Sequence, residues 1–290
     1  MKLILGTVQF GLDYGINNSV GKPNEEEVQE IFNLAHQTGI TLLDTAEVYG
    51  NAHQLIGNFH RKYRTKKFKV ITKLPHQFNE GIIDKVKTYL NELAVEEIDT
   101  LMFHSFVSYV KYQDEISGLE KLLTTGEVRR LGVSVYTNEE MNIVLGDDRI
   151  EVIQLPFNLF DNLIQRGELL AKAKAKGKII HTRSAFLQGL FFKDVDSSET
   201  VVKKMRNELE QINQIAIDAV MPIANLALKY VLQQNLIDKV LIGVDNTTQL
   251  LQNISIANRG ELNYETMEKI DSLKVSDANL LNPSLWSQVQ

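Results

Sequence analysis

Apolar positions along this chain gather in short, β-branched runs, and between the runs their spacing changes. Eight such runs stand out: LILGTVQF, ITLLDTA, KFKVITKL, EIDTLMFH, VRRLGVSV, IEVIQLPF, GKIIHTRS and DKVLIGV. Their near-continuous apolarity is that of strands covered on both faces. Between them the apolar positions fall three and four apart, as on a helix. Across residues 25–38, Val28, Ile31, Phe32 and Ala35 share one face, Asn24 and Glu27 form a capping pair, and Gly39 stands where a helix ends. Helical spacing returns at residues 82–93, 115–125, 138–145, 165–176, 222–234 and 247–258, and residues 199–220 read as an additional helix or a long lid-like excursion.

Strand followed by helix, repeated eight times in 290 residues, predicts an α/β fold with a parallel eight-stranded (β/α)8 TIM barrel ringed by helices. A doubly wound open sheet is the second reading. No Pro, Gly or Ser-rich linker interrupts the series, so residues 1–290 read as a single barrel domain.

Composition narrows the chemistry. Hydrophobic residues make up 43% and charged residues 23%, as in an ordinary folded globular protein. The absence of cysteine excludes disulfides, thiolate zinc sites and cysteine nucleophiles. His36, His53, His60, His76, His104 and His181 show no converging spacing, so no metal site is expected. A net charge of -6 argues against nucleic acid as a partner, which needs concentrated positive charge. MKLILGTVQFG lacks the long apolar core and cleavage pattern of a signal, and no apolar stretch reaches membrane length, so a cytoplasmic protein without membrane contact is expected.

Three segments are set aside. RKYRTKKFK at 61–69 precedes the third strand, opposite the barrel mouth, and reads as a solvated basic helix end. KAKAKGK at 172–178 scatters its lysines around a helix and reads as solvated surface. GINNSVGKP at 15–23 has the wrong spacing for a phosphate loop and ends in proline, and no G-x-G-x-x-G occurs.

In TLLDTAEVYG, residues 41–50, a carboxylate ends an apolar run: Asp44 follows Leu42 and Leu43, and Tyr49 lies five residues on. Catalytic groups of such barrels come from the C-terminal ends of several strands. Strand ends here deliver Asp44 and Tyr49, then Lys73 from KVITK, then His104 from DTLMFH. Taken singly these are an N-cap, a half-buried aromatic, a solvated strand end and a rim histidine. Together they form a coherent carbonyl-polarising set. A phenol with an ordinary pKa near 10 needs help to release its proton, and Lys73 supplies positive charge for the phenolate. Asp44 would pair with Lys73, and His104 would donate to a substrate oxygen.

At these residues the chain resembles the aldo-keto reductase family, through DTAEVYG, VITK, His104, the GVS of residues 132–134 and LIGVDNTTQLLQN, over nearly its whole length. The resemblance implies a reductase that passes hydride from a nicotinamide, NADP(H) or NAD(H), to a carbonyl carbon while Tyr49 donates the proton. It implies catalytic roles for Asp44, Tyr49, Lys73 and His104. For the cofactor it implies Gly6, Thr7 and Asp44, with Ser134 and Gln154 at the carboxamide. Ser184 and Gly189 fall along the pyrophosphate, and Gly243, Gln249 and Asn253 at the adenosine end.

The chain departs from the family pattern in three places. Counting back from Gly189 puts Arg183 where many members have an aromatic stacked on the nicotinamide, a role a guanidinium plane can fill. A shift of one or two residues gives that role to His181 or Thr182 and leaves Arg183 on phosphate. Asp245 stands where NADP-selective members carry Lys, Arg or Ser, and would accept from a ribose 2′-OH and repel a 2′-phosphate, or else cap the helix near Thr247. His53 replaces a common glutamate.

The reading is therefore a reductase of a small-molecule aldehyde or ketone. Ser108, Tyr109 and Lys111 suggest a hydrophilic, sugar-like carbonyl, and Trp286 is expected to anchor the C-terminal tail on the side of the barrel, with a substrate wall over the mouth as the second reading. Two other readings stand beside it: a Schiff-base lyase using Lys73, and a cofactor-binding sensor with little turnover.

Overall fold

A computed structural model describes residues 1–18 and 21–288, and in it eight strands close into a parallel barrel in sequence order. The strands are β1 (Leu3–Gly6), β2 (Leu42–Asp44), β3 (Lys69–Leu74), β4 (Thr100–Phe103), β5 (Leu131–Ser134), β6 (Ile150–Pro156), β7 (Ile179–Arg183) and β8 (Lys239–Ile242). Closure comes from β1 pairing with β8, Leu5 opposite Ile242. The open-sheet alternative therefore falls.

Alternation along each strand sorts the side chains. Ile4, Leu42, Ile71, Met102 and Val152 point inward and fill the barrel, with Ile179 and Leu241 packed against them. Their neighbours Leu3, Leu5, Leu43, Val70, Leu101 and Ile153 point outward into the main core beneath the helices. This two-sided burial is why the strands read as continuous apolar runs instead of alternating ones. One inward position later, the lining becomes polar, with Asp44, Lys73, Ser134, Gln154 and His181 all buried. The barrel is thus dry below and polar at its C-terminal mouth.

Helix bounds follow the sequence spacing closely. Glu25–Gln37 carries the Asn24/Glu27 capping box, and Ile82–Leu93 and Thr247–Ala257 cover their strands. The apolar run LILGTVQF does not remain a strand: β1 ends at Gly6, and Val8–Gly11 turns into a short helix. Thr7 ends the ladder by donating its N–H to the Asp44 carbonyl at 3.0 Å. A helix at Ala52–Lys62, which the sequence reading did not single out, joins β2 to β3.

Residues 199–220 form two helices, Thr200–Lys204 and Arg206–Asp218, which bury Val201, Val202, Leu209 and Ile212. They are packed elements of the shell, so the lid-like alternative falls. The basic run at 61–69 does lie at the end of Ala52–Lys62 and ahead of β3. In the lysine run, Lys178 departs from the solvated reading: it is buried and donates to the carbonyls of Asp147 and Ile150 at 2.8 and 2.7 Å. Ser19 and Val20, within the segment rejected as a phosphate loop, lie outside the described residues, as do Val289 and Gln290 of the tail. Among the described residues no single helix is long and apolar enough to cross a membrane.

Candidate active site

The DTAEVYG loop leaves β2 at Asp44 and is held by close backbone contact. Gly50 has φ +56°, and a Cβ there would lie 2.3 Å from the carbonyl oxygen of Gly11. A Cβ on Gly11 would in turn lie 1.8 Å from the carbonyl oxygen of Tyr49. Only glycine fits at either position, so the turn after β1 fixes the backbone that carries Tyr49.

Lys73 points inward two residues beyond Ile71 on β3 and forms a buried ion pair with Asp44. Its ammonium also donates to the Thr45 carbonyl at 2.9 Å. The other Asp44 oxygen accepts from the Gln154 amide at 2.8 Å, across the barrel from β6. Thr7 donates its hydroxyl to the Asp44 carbonyl at 3.1 Å. The Lys73 ammonium then lies 5.1 Å from the centre of the Tyr49 ring, and that ring meets His104 edge-on with centroids 5.8 Å apart. The structure thus brings Asp44, Tyr49, Lys73 and His104 together at one mouth.

Burial acts differently on each of these groups. It pushes the Tyr49 phenol up, Lys73 opposes it, Asp44 adds to it, and the result lies above the ordinary value. Burial works against a charged Lys73, but Asp44 and then Tyr49 outweigh it and leave the ammonium firmly protonated. His104 is held down to about 3, first by burial and then by Lys73. At neutral pH the site therefore holds a protonated phenol beside an ammonium and a neutral imidazole. Nδ1 of that imidazole is buried without a partner.

The sequence reading missed a supporting layer behind this set. Glu47, in the same loop, accepts from Lys85 at 2.8 and 3.0 Å and from the Tyr89 hydroxyl. Lys85 and Tyr89 lie four apart on Ile82–Leu93, a spacing that could have shown them to share a face. His53 is part of the same seam: its ring nitrogens contact Glu92 at 2.9 Å and the Thr72 hydroxyl at 2.8 Å, next to Lys73.

The expected cofactor residues fall along the same rim. Ser134 and Gln154 are buried neighbours in register on β5 and β6. After β7 the backbone takes positive φ at Ser184, Leu187, Gln188 and Gly189, a run of left-handed residues of the kind found around ligand-binding loops. Gly6 ends β1, and a Cβ on Gly243 beyond β8 would collide with the Gln9 side chain. Asn253 is buried on Thr247–Ala257. Thr7 is fully buried, with both its N–H and its hydroxyl on the Asp44 backbone carbonyl, and so fixes the end of β2.

The departures resolve further. His181 is buried inside the barrel and Thr182 within the wall, whereas Arg183 stands half-buried at the mouth, its guanidinium 4.0 Å above the Tyr136 ring. Of the three, Arg183 is the one whose side chain is partly open at the mouth. Asp245 does not cap the following helix, because Asn246 does, accepting from Gln249 N–H at 2.9 Å. One Asp245 oxygen bonds Gln249 at 3.2 Å and the other is buried without a partner.

Two of the three residues behind the sugar-like expectation turn into the protein. Ser108 and Tyr109 are buried, the first in a helix capping box and the second on Asp147 at 3.0 Å, while Lys111 lies over Tyr112. Trp286 packs against the main core and donates to the Leu280 carbonyl at 2.9 Å, as an anchor of the tail.

Partnerless buried acceptors on Gln9 and Asp245, the tight approach at Gly243 and the left-handed loop at residues 184–189 make a rim that fits an extended dinucleotide. Comparison with known proteins bears on the family. A probable aldo-keto reductase 1 of Glycine max is 26% identical over 91% of this chain and 85% of its own length. The aldo-keto reductase YhdN of Bacillus subtilis is 25% identical over 51% of this chain and 49% of its own, so that match spans about half of that protein. The holo form of an aldo-keto reductase from Bacillus halodurans has the same fold, with a TM-score of 0.75 at 20% identity over 95% of this chain and 93% of that one. Residues 2–275 match the aldo/keto reductase family itself, so this chain belongs to that family of NAD(P)H-dependent oxidoreductases.

Proposed function

We propose that the protein reduces the carbonyl group of a small aldehyde or ketone to an alcohol, with Tyr49 as the proton donor. The observation that carries this is the approach of the Asp44-paired Lys73 ammonium to the Tyr49 ring, with His104 on its edge. Bound NAD(P)H supplies hydride to the carbonyl carbon. The residues of this chain do the rest.

Tyr49 stays protonated at neutral pH and so holds the proton until the carbonyl oxygen gains charge. When the O–H proton moves to that oxygen, the phenolate left behind faces the Lys73 ammonium, which Asp44 and the Thr45 carbonyl keep in place. His104, neutral, is suited to donate one N–H to the same oxygen and orient it. Gln154 steadies Asp44 from across the barrel. On this reading Ser134 and Gln154 meet the carboxamide and Arg183 flanks the nicotinamide. Ser184 and Gly189 line the pyrophosphate, and Gly243, Asp245, Gln249 and Asn253 hold the adenosine.

A Schiff-base lyase is disfavoured, because the attacking amine must be neutral and Asp44 holds Lys73 charged. The test is direct. NADH or NADPH absorbance is followed with a panel of aldehydes and ketones. The expected result is loss of absorbance that Tyr49→Phe abolishes, and no loss with any pair of cofactor and carbonyl counts against the reading.

A further inference from the structure

The charges at the mouth do not balance. Asp44 is neutralised by Lys73, and His104 is uncharged at neutral pH. That leaves the Arg183 guanidinium, half-buried at the end of β7. Arg130, Arg166 and Arg206, the other arginines withdrawn from full exposure, pair with Asp99, Asp161 and Asp196. Among the described residues no carboxylate lies within ion-pair distance of Arg183; Asp161, which feels its charge, is paired with Arg166. It makes one hydrogen bond, to the Val135 carbonyl at 3.3 Å, and lies over Tyr136.

A guanidinium has five N–H donors in its plane, so stacking on a ring occupies a face and leaves the edge for hydrogen bonding. One donor is used by Val135. The Arg183 charge is felt by Tyr14, Tyr49 and His104 at the same mouth. A partly desolvated cation without a counter-ion is unfavourable, and an arriving oxyanion would offset that with charge-assisted, bidentate hydrogen bonds.

We propose that Arg183 makes this site selective for carbonyl substrates that also carry an oxyanion, a carboxylate or a phosphate. The inference rests on the reductase reading above and names the substrate class of that site. Stacking against a nicotinamide engages the face of the guanidinium, so the two roles are compatible. The remaining source of an oxyanion is the cofactor pyrophosphate, and the experiment separates the two.

The full chain with its preferred cofactor is assayed on matched pairs: butanal against succinic semialdehyde, and glyceraldehyde against glyceraldehyde 3-phosphate. The anionic member of each pair is expected to have kcat/KM about tenfold higher or more, through KM, with the advantage shrinking as salt rises. Arg183→Gln is expected to bring the ratio within each pair close to one, and Arg183→Lys to keep part of it. Cofactor Kd is read for both variants by nicotinamide fluorescence: loss of stacking on the nicotinamide lowers both members of a pair alike, whereas the ratio within a pair reports only the substrate oxyanion. Reduction of both members with no anionic preference, or a preference that survives Arg183→Gln, overturns the inference. A preference intact in Arg183→Gln with weakened cofactor binding overturns it in favour of the pyrophosphate. Reduction of no carbonyl at all overturns the reductase reading and this one with it.

Discussion

Lys73 and Asp44 form an ion pair at the barrel mouth in which both side chains are almost wholly buried, at 2% and 1% exposure. Removing one partner leaves the other charged in a site with little water to solvate it. Asp44→Asn is therefore expected to destabilise the fold by about 3–5 kcal/mol and to slow turnover, because Lys73 loses the group that positions it. Asp44→Leu with Lys73→Met is expected to cost less than the sum of the single changes. Chemical denaturation of Asp44→Asn and of the four proteins of this cycle, with initial rates for Asp44→Asn, checks these statements.

Tyr49→Phe keeps the ring against His104 and removes only the transferable proton. The expected loss in kcat is about 10²–10⁴-fold with cofactor affinity nearly unchanged. Single-turnover kinetics and a fluorescence titration measure the two parts, and a variant with full kcat would exclude Tyr49 as the donor.

Asp245 carries a buried oxygen without a partner, and Asn246 has taken over the capping of the next helix. A carboxylate so placed suits a ribose 2′-OH and repels a 2′-phosphate. NADH is expected to bind more tightly than NADPH, and Asp245→Ser to shift the ratio of the two Kd values toward NADPH by roughly tenfold. Tighter NADPH binding by the parent protein would place Asp245 away from the ribose.

Glu47 links the Tyr49 loop to Lys85 and Tyr89. Tyr89→Phe removes one donor from that carboxylate and is expected to cost about 1–2 kcal/mol and to lower kcat severalfold. Thermal melts and initial rates report the two effects; a melt shift with kcat unchanged would confine Tyr89 to structure.

Three histidines link stability to pH. Burial lowers His60, His104 and His181, the last to about 4, with His181 only 3% exposed. In the unfolded chain a histidine takes up its proton near pH 6.5, whereas folded His181 resists until about pH 4. Between those values the unfolded state binds more protons, so stability is full above pH 6.5 and falls as the medium is acidified. His181 alone should contribute a slope of about 1.4 kcal/mol per pH unit in that window. His181→Asn is expected to flatten the dependence of unfolding free energy on pH by about one proton, and an unchanged slope would show that His181 is already charged in the folded protein.

The sequence by itself determined the strand and helix alternation and which residues stand at the strand ends. Those features follow from local periodicity: Ile71 and Lys73 point the same way because strand side chains repeat every second residue. It also put Tyr49, Lys73 and His104 on successive elements. Only tertiary structure decided what each polar group meets. Gln154 reaches Asp44 from 110 residues away because the barrel closes, and Thr7 turns to the Asp44 carbonyl where the β1 ladder ends. Arg183 settles on Tyr136, Asn246 displaces Asp245 as the cap, and Ser108 and Tyr109 turn into the protein. Those outcomes depend on loop backbone and side-chain rotamers set by distant neighbours, which strand and helix periodicity does not encode.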